Sequence, residues 1–422
     1  MLSPRAWNPS SNRLVFVFGA MILFFVLFDG IMTYLLPLVV LEHGLSKTQL
    51  GLILASAAVA GAFFDFAIYK IFKNAIYRRL FLAMFATGLL YIFLVWFAET
   101  IILDLIAMAV WGFYYDLKSF GTLDFVSRHS PKKEIAGNFG IVQAFQAIGA
   151  LLAPLIAGFV ILDYVDWEPF ALALFFLILS AAFFFLLLRE AKGKREFIPP
   201  REKPRKGGIM AEVASWRGVG LSLLPLFLLA IFSTIFDSFF VALGPLLAES
   251  LPLEPFDGFF MVAYFLPPFL IGGLVGGIVG KFGEKTSALG GLLIGGAILS
   301  TLAFIEIPLA AIAIVFFSSC FACLMQPVLQ GIYARIIHET PRVKKEIQEL
   351  SDFSGNFGYV LGPIAAGIIA DSFGTAAAFS ALGVAGVAFA ILLFFILPKK
   401  PMIRTKADIR MKKPGITRAN GR

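Results

Sequence analysis

Apolar blocks of 20 or more residues, separated by short polar stretches, run the length of this chain, and that pattern decides its solvent. A hydrocarbon core about 30 Å thick takes about 20 residues of helix to cross. The blocks fall near 14–41, 49–70, 77–97, 101–124, 137–162, 169–189, 217–247, 257–280, 286–305, 309–336, 350–370 and 375–397. Charged residues make up only 15% of the 422, against about 25% in a soluble domain. Inside a bilayer every backbone N–H and C=O has to be satisfied by the chain itself, so spans of this length read as helices. The expected fold class is all-α integral membrane, with twelve transmembrane helices.

The net charge of +8 is explained by where it sits. All but Lys47 of the 35 lysines and arginines lie in the N-terminus, in alternate inter-span segments or in the C-terminal tail, with Lys118 counted at the end of span 4. The other set of loops carries acids: Glu42, Glu99, Asp163, Asp166, Glu168, Glu249, Glu254, Asp257, Glu306 and Asp371. Positive charge resists translocation, so the basic side is read as cytoplasmic. The expectation is a multi-pass protein of the cell membrane with both termini in the cytoplasm. The basic character is topology, and no nucleic-acid partner is expected. The first apolar run is too long for a signal-peptide core and is expected to remain as a helix. His43, His129 and His338 fall at span ends or in loops. Cys320 and Cys323 form a C-x-x-C in span 10 without a second pair, and read as packing residues. No metal site, no cofactor and no catalytic constellation is expected; the chain does not read as an enzyme.

An internal repeat adds most. Span 1 holds Phe28-Asp29 with Pro37 eight residues after the acid, and span 7 holds Phe236-Asp237 with Pro245 at the same spacing, 208 positions on. Span 5 carries Gly149, Ala153-Pro154 and Ala157-Gly158; span 11 carries Gly358, Gly362-Pro363 and Ala366-Gly367, 209 positions on. The preceding loops echo as well, His129 to Ile135 against His338 to Ile347. Two six-helix halves follow. Because each has an even number of spans, both insert in the same sense, as parallel repeats about an axis along the membrane normal. The expected organisation is an N-terminal segment 1–13, a first half 14–189, a linker 190–216, a second half 217–397 and a basic tail 398–422. The tail is read as lying near anionic membrane lipid. A monomer is expected.

Over residues 14–397 this arrangement resembles the major facilitator superfamily. Gly61-Ala-Phe-Phe-Asp65, followed by Lys70, Lys73, Arg78 and Arg79, is similar to that family's cytoplasmic-loop motif, and the second copy contains Gly276, Gly280, Lys281, Gly283 and Lys285. The resemblance implies a gating latch of acid and basic residues at Asp65; the second copy has Gly280 where the acid belongs. The run Gly140, Gly149, Pro154, Gly158 is similar to the antiporter motif of proton-driven efflux members. Its physical reading is a small-residue seam with a bent helix. Drug exporters of the family usually carry an arginine in span 4, where this chain offers only Lys118.

Ionisable residues at mid-membrane cost about 2.5–3.5 kcal/mol each on insertion scales, so those present call for a role. Asp29 and Asp237 sit near the centres of spans 1 and 7, with Thr33 and Ser233 one turn away on the same faces. Span 4 adds Asp116 and Lys118, and span 10 adds Gln326 and Gln330; Tyr34, Trp111, Tyr114 and Tyr115 read first as packing or lipid-facing aromatics and second as an apolar substrate wall. The resemblance implies that spans 1, 4, 7 and 10 line the cavity. At least one of Asp29, Asp116 and Asp237 is expected to carry a coupling proton; the other reading pairs one with Lys118 or uses it as a helix cap. The functional expectation is a secondary transporter working by alternating access, coupled to protons and exporting a small amphipathic or hydrophobic compound. The alternative is proton- or sodium-coupled uptake of a polar solute such as a sugar or organic acid.

Overall fold

The computed structural model describes residues 9–71, 76–131, 134–161, 165–192, 209–252, 256–340 and 343–397; side chains are described for all of these except 9–12, 65–71, 136, 209–219 and 222. Fourteen α-helices and one 3-10 turn appear among them. The first half contains α1 (Pro9–Glu42), α2 (Lys47–Ile71), α3 (Tyr77–Trp96), α4 (Ile101–His129), α5 (Ile135–Val160) and α6 (Trp167–Ala191). The second contains α7 (Ile209–Ser250), α8 (Gly258–Ile271), α9 (Val275–Phe282), α10 (Glu284–Leu299), α11 (Pro308–Ala322), α12 (Met325–Glu339), α13 (Lys344–Phe373) and α14 (Thr375–Ile396). α7 starts inside the expected linker.

Two spans expected as single blocks are broken. α8 and α9 form one span bent by 69°. Pro267 and Pro268 remove backbone donors, and the Gly272-Gly273 pair that follows has no side chain to hold the helix straight. α11 and α12 make the other, interrupted at Cys323-Leu324. Pro327 lies four residues after Cys323, where its ring displaces the Cys323 carbonyl from helical bonding. With α8 and α9 counted together, eleven spans are long and apolar enough to cross a membrane. The twelfth is α4, 29 residues long, whose hydropathy is lowered by Asp104, Asp116, Lys118 and Asp124.

Two interfaces related by the repeat join the halves, α5 on α8 and α13 on α2, and α1 also packs on α7. Glycine makes the two related interfaces possible. A Cβ on Gly258 would strike the Pro154 carbonyl, one on Gly51 the Pro363 carbonyl, and one on Gly367 the Lys47 carbonyl. Backbones this close gain dispersion contact that lipid tails do not match. Polar ties lie on the same side. Asp371, near the end of α13, accepts from Lys47 N at 3.1 Å, Thr48 N at 2.8 Å and Thr48 Oγ1 at 2.6 Å, satisfying the open N–H groups at the start of α2. Tyr34 donates to Glu249 Oε1 at 2.8 Å, joining α1 to α7. These contacts close the face that carries the acidic loops.

Candidate functional site

Below that closure two cavities share a wall. The larger, about 900 Å³, reaches toward the basic face and is lined by α4, α7, α8, α12 and α13 side chains, among them Tyr115, Asp116, Ser233, Asp237, Gln326, Gln330, Asn356 and Tyr359. The smaller, about 370 Å³, lies toward the acidic face beside Asp29, Thr33, Tyr34, Trp111 and Pro154. Tyr115, Asp116, Phe265, Asn356 and Tyr359 border both.

Asp29 is nearly buried, at 9% exposure. Its Oδ1 accepts from Tyr114 OH at 2.6 Å and from Trp111 Nε1 at 3.0 Å. Its Oδ2 lies 4.0 Å from Lys118 Nζ. All three partners come from α4, at positions 111, 114 and 118, which share one helical face. Lys118 is itself buried, at 7% exposure, and its ammonium sits 3.8 Å from the Tyr115 ring centroid. Carboxylate and aromatic face together balance a charge that would otherwise be costly to bury. Tyr114 is fixed by Phe25, Phe28 and Tyr91 rings around it. Thr33 does not reach the carboxylate; its hydroxyl donates to the Asp29 carbonyl at 2.8 Å.

Asp237, at the repeat-related position, has different company. Tyr264 of α8 donates to Oδ1 at 2.6 Å, and Tyr359 of α13 donates to Oδ2. Neither tyrosine is visible as a partner in the sequence, since they lie 27 and 122 residues away. Tyr264 is held by stacking on Phe240, with centroids 3.9 Å apart, and Ser319 of α11 donates to the Tyr264 carbonyl at 2.7 Å. Asp116 faces Gly61 of α2, where an added Cβ would come within 3.7 Å of its Oδ2.

The other expected site residues divide by place. The Asp65 side chain lies outside the described residues, as do those of Lys70 and Lys73. Arg78 and Arg79 are exposed, and Arg78 Nε donates to Tyr77 OH at 3.2 Å. An acid missed by the sequence reading holds this corner: Asp124 accepts from Tyr77 N at 2.9 Å and pairs with Arg128 at 2.7 Å. In the second half the matching corner is tied by Arg335 of α12 to Glu284 of α10, through bonds of 3.1 and 2.8 Å. Lys281 is exposed beside the Phe282 ring, and Lys285 donates to the Phe394 and Leu397 carbonyls at 2.6 Å, capping α14. Along α5, Gly140 faces open space, Gly149 packs on Leu23 and Val26 of α1, and Gly158 meets Gly258 of α8. Along α13, Gly358 packs on α7, while Pro363 and Gly367 meet α2. No His, Cys, Asp and Glu cluster able to hold a metal occurs among the described residues.

The sequence matches the family model described as Major Facilitator Superfamily over residues 119–344 and 226–417. No curated protein matches it. Among solved structures, the nucleoside transporter NupG is similar with a TM-score of 0.69 at 14% identity, covering 92% of this chain and 99% of that one. A bacterial homolog of the human lysosomal transporter Spinster, in an inward-facing and unoccupied conformation, gives 0.69 at 14%, covering 94% and 96%. A mutant of the peptide transporter POT in complex with sulfate gives 0.74 at 14%, covering 92% and 94%. At such identities the likeness is one of fold.

Proposed function

This chain belongs to the Major Facilitator Superfamily, and from that premise we propose that it is a proton-coupled secondary transporter in which the Asp29–Lys118 pair carries the coupling proton. The observation that carries this reading is the burial of a carboxylate and an ammonium 4.0 Å apart beside a cavity. A pair so placed is sensitive to protonation: a proton on Asp29 leaves Lys118 without its counter-charge, and removing the proton restores the attraction. Coupling arises if the two charge states favour different arrangements of the halves. The large cavity toward the basic face, with the acidic face closed, supports a cycle in which this is the state open to the cytoplasm.

The direction we read is export, from the likeness of the α5 run to the efflux pattern. α13 carries half of the same run and uses it in the same kind of interface, so a directional assay decides this point. The amides of Gln326, Gln330 and Asn356 in the larger cavity favour the second reading, uptake of a polar solute. The test uses proteoliposomes with a pH dye trapped inside. Addition of sugars, carboxylates, amines and neutral aromatics in turn is expected to produce proton movement with one class and none in protein-free vesicles. Solute accumulation that is unchanged when the pH gradient is collapsed, with no proton movement for any class, would contradict the coupling.

A further inference from the structure

We propose that the larger cavity binds an organic cation, an amine or quaternary ammonium with an apolar body, whose charge rests on Asp237. This deepens the transporter reading and depends on it for the movement of the ligand, though not for its binding. The charge of the cavity points to the class. Asp116, Asp237 and Asp352 line it, and the described lining residues include no Lys, Arg or His. An anionic solute would meet the Asp237 carboxylate with no basic lining group among the described residues to receive it; a cation would find the reverse.

Asp237 is built to receive such a charge. Tyr264 and Tyr359 each donate to one of its oxygens. A carboxylate accepts about four bonds, so each oxygen keeps a lone pair, and the two hydroxyls fix its direction. No basic side chain forms an ion pair with Asp237 among the described residues, whereas Asp29 has Lys118 at 4.0 Å. The first-half acid therefore has an internal cation, and its second-half counterpart has room for an external one. Tyr115, Phe236 and Phe265 supply aromatic surface around the same space, which suits an apolar body and adds cation–π attraction. A volume of about 900 Å³ lies at the upper end for drug-sized ligands.

The test is binding to the purified full-length protein in nanodiscs, by calorimetry and thermal shift, with benzyltrimethylammonium, benzyl alcohol and benzoate as cation, neutral and anion of similar size. The expected result is stabilisation by the cation alone. Its Kd should rise at least tenfold in Asp237→Asn and stay within about threefold in Asp237→Glu. Equal binding of benzyl alcohol or benzoate, unchanged cation binding in Asp237→Asn, or no binding by any of the three overturns the proposal. If Asp237→Asn does not fold, the three probes on the unmodified protein still decide. Proton flux driven by a neutral or anionic solute, without cation binding, would refute this inference and leave the transporter reading in place. Cation binding that never drives solute-linked proton flux would do the opposite.

Discussion

Asp29 and Asp237 occupy the same position in two copies of one six-helix unit, yet the copies have equipped them differently. Asp29 is closed in by Trp111, Tyr114 and Lys118, all from α4. Asp237 is half-buried at a large cavity and held by one tyrosine from α8 and one from α13. The first is a compensated charge inside one half; the second is a carboxylate presented to whatever enters. Duplication supplied two equivalent acids, and the residues around them compensate one and leave the other facing the larger cavity.

The largest effect expected from breaking this contrast is at the compensated site. Asp29→Asn leaves Lys118 buried without a counter-charge, at a cost of about 3–5 kcal/mol, measured as a loss of melting temperature or of folded yield. Asp29→Asn with Lys118→Met should recover most of that loss. Asp237→Asn removes a charge that no buried cation needs and keeps an acceptor for the tyrosines, so it should cost about 1–3 kcal/mol. Equal losses for the two single variants would erase the distinction between the halves.

Next come the paired seams. Gly258→Ala and Gly367→Ala should each destabilise the closed acidic face by about 1–3 kcal/mol. They should also slow labelling of the cavity-lining Cys323 by an impermeant maleimide applied from the basic side. If only one of the two shifts the labelling, the seams are not equivalent. Tyr359→Phe removes one donor from Asp237 and should cost about 1.5–3 kcal/mol, with weaker cation binding and unchanged proton coupling. Smallest is Gly140→Ala, which meets open space and should change thermal stability by less than about 1 kcal/mol, although it shares the α5 run with Gly158.

Much of the fold can be read from the sequence because the bilayer imposes it. Span number and duplication follow from apolar blocks and the 208-residue offset, and the placement of basic residues on one face gives the expected sidedness. The same offset picks out Asp29 and Asp237 together, and Lys118 stands out as the lone cation of its span. The partners of these charges are another matter. Tyr264 and Tyr359 are two among 10 tyrosines, and only the packing of α8 and α13 against α7 brings them to one carboxylate. The glycine runs of α5 and α13 announce close packing but not against which helix; the structure shows them divided between their own half and the other. Pro267-Pro268 with Gly272-Gly273, and Pro327, carry the signal for broken spans, yet hydropathy reads straight through them.

We assign the coupling proton to the Asp29–Lys118 pair. The most direct measurement is solute-linked proton flux in proteoliposomes holding the Asp29→Asn, Lys118→Met double variant, with its folding verified by melting temperature and its solute exchange by counterflow. Exchange is expected to persist while proton flux and gradient-driven accumulation disappear. Full gradient-driven accumulation in the double variant would contradict it.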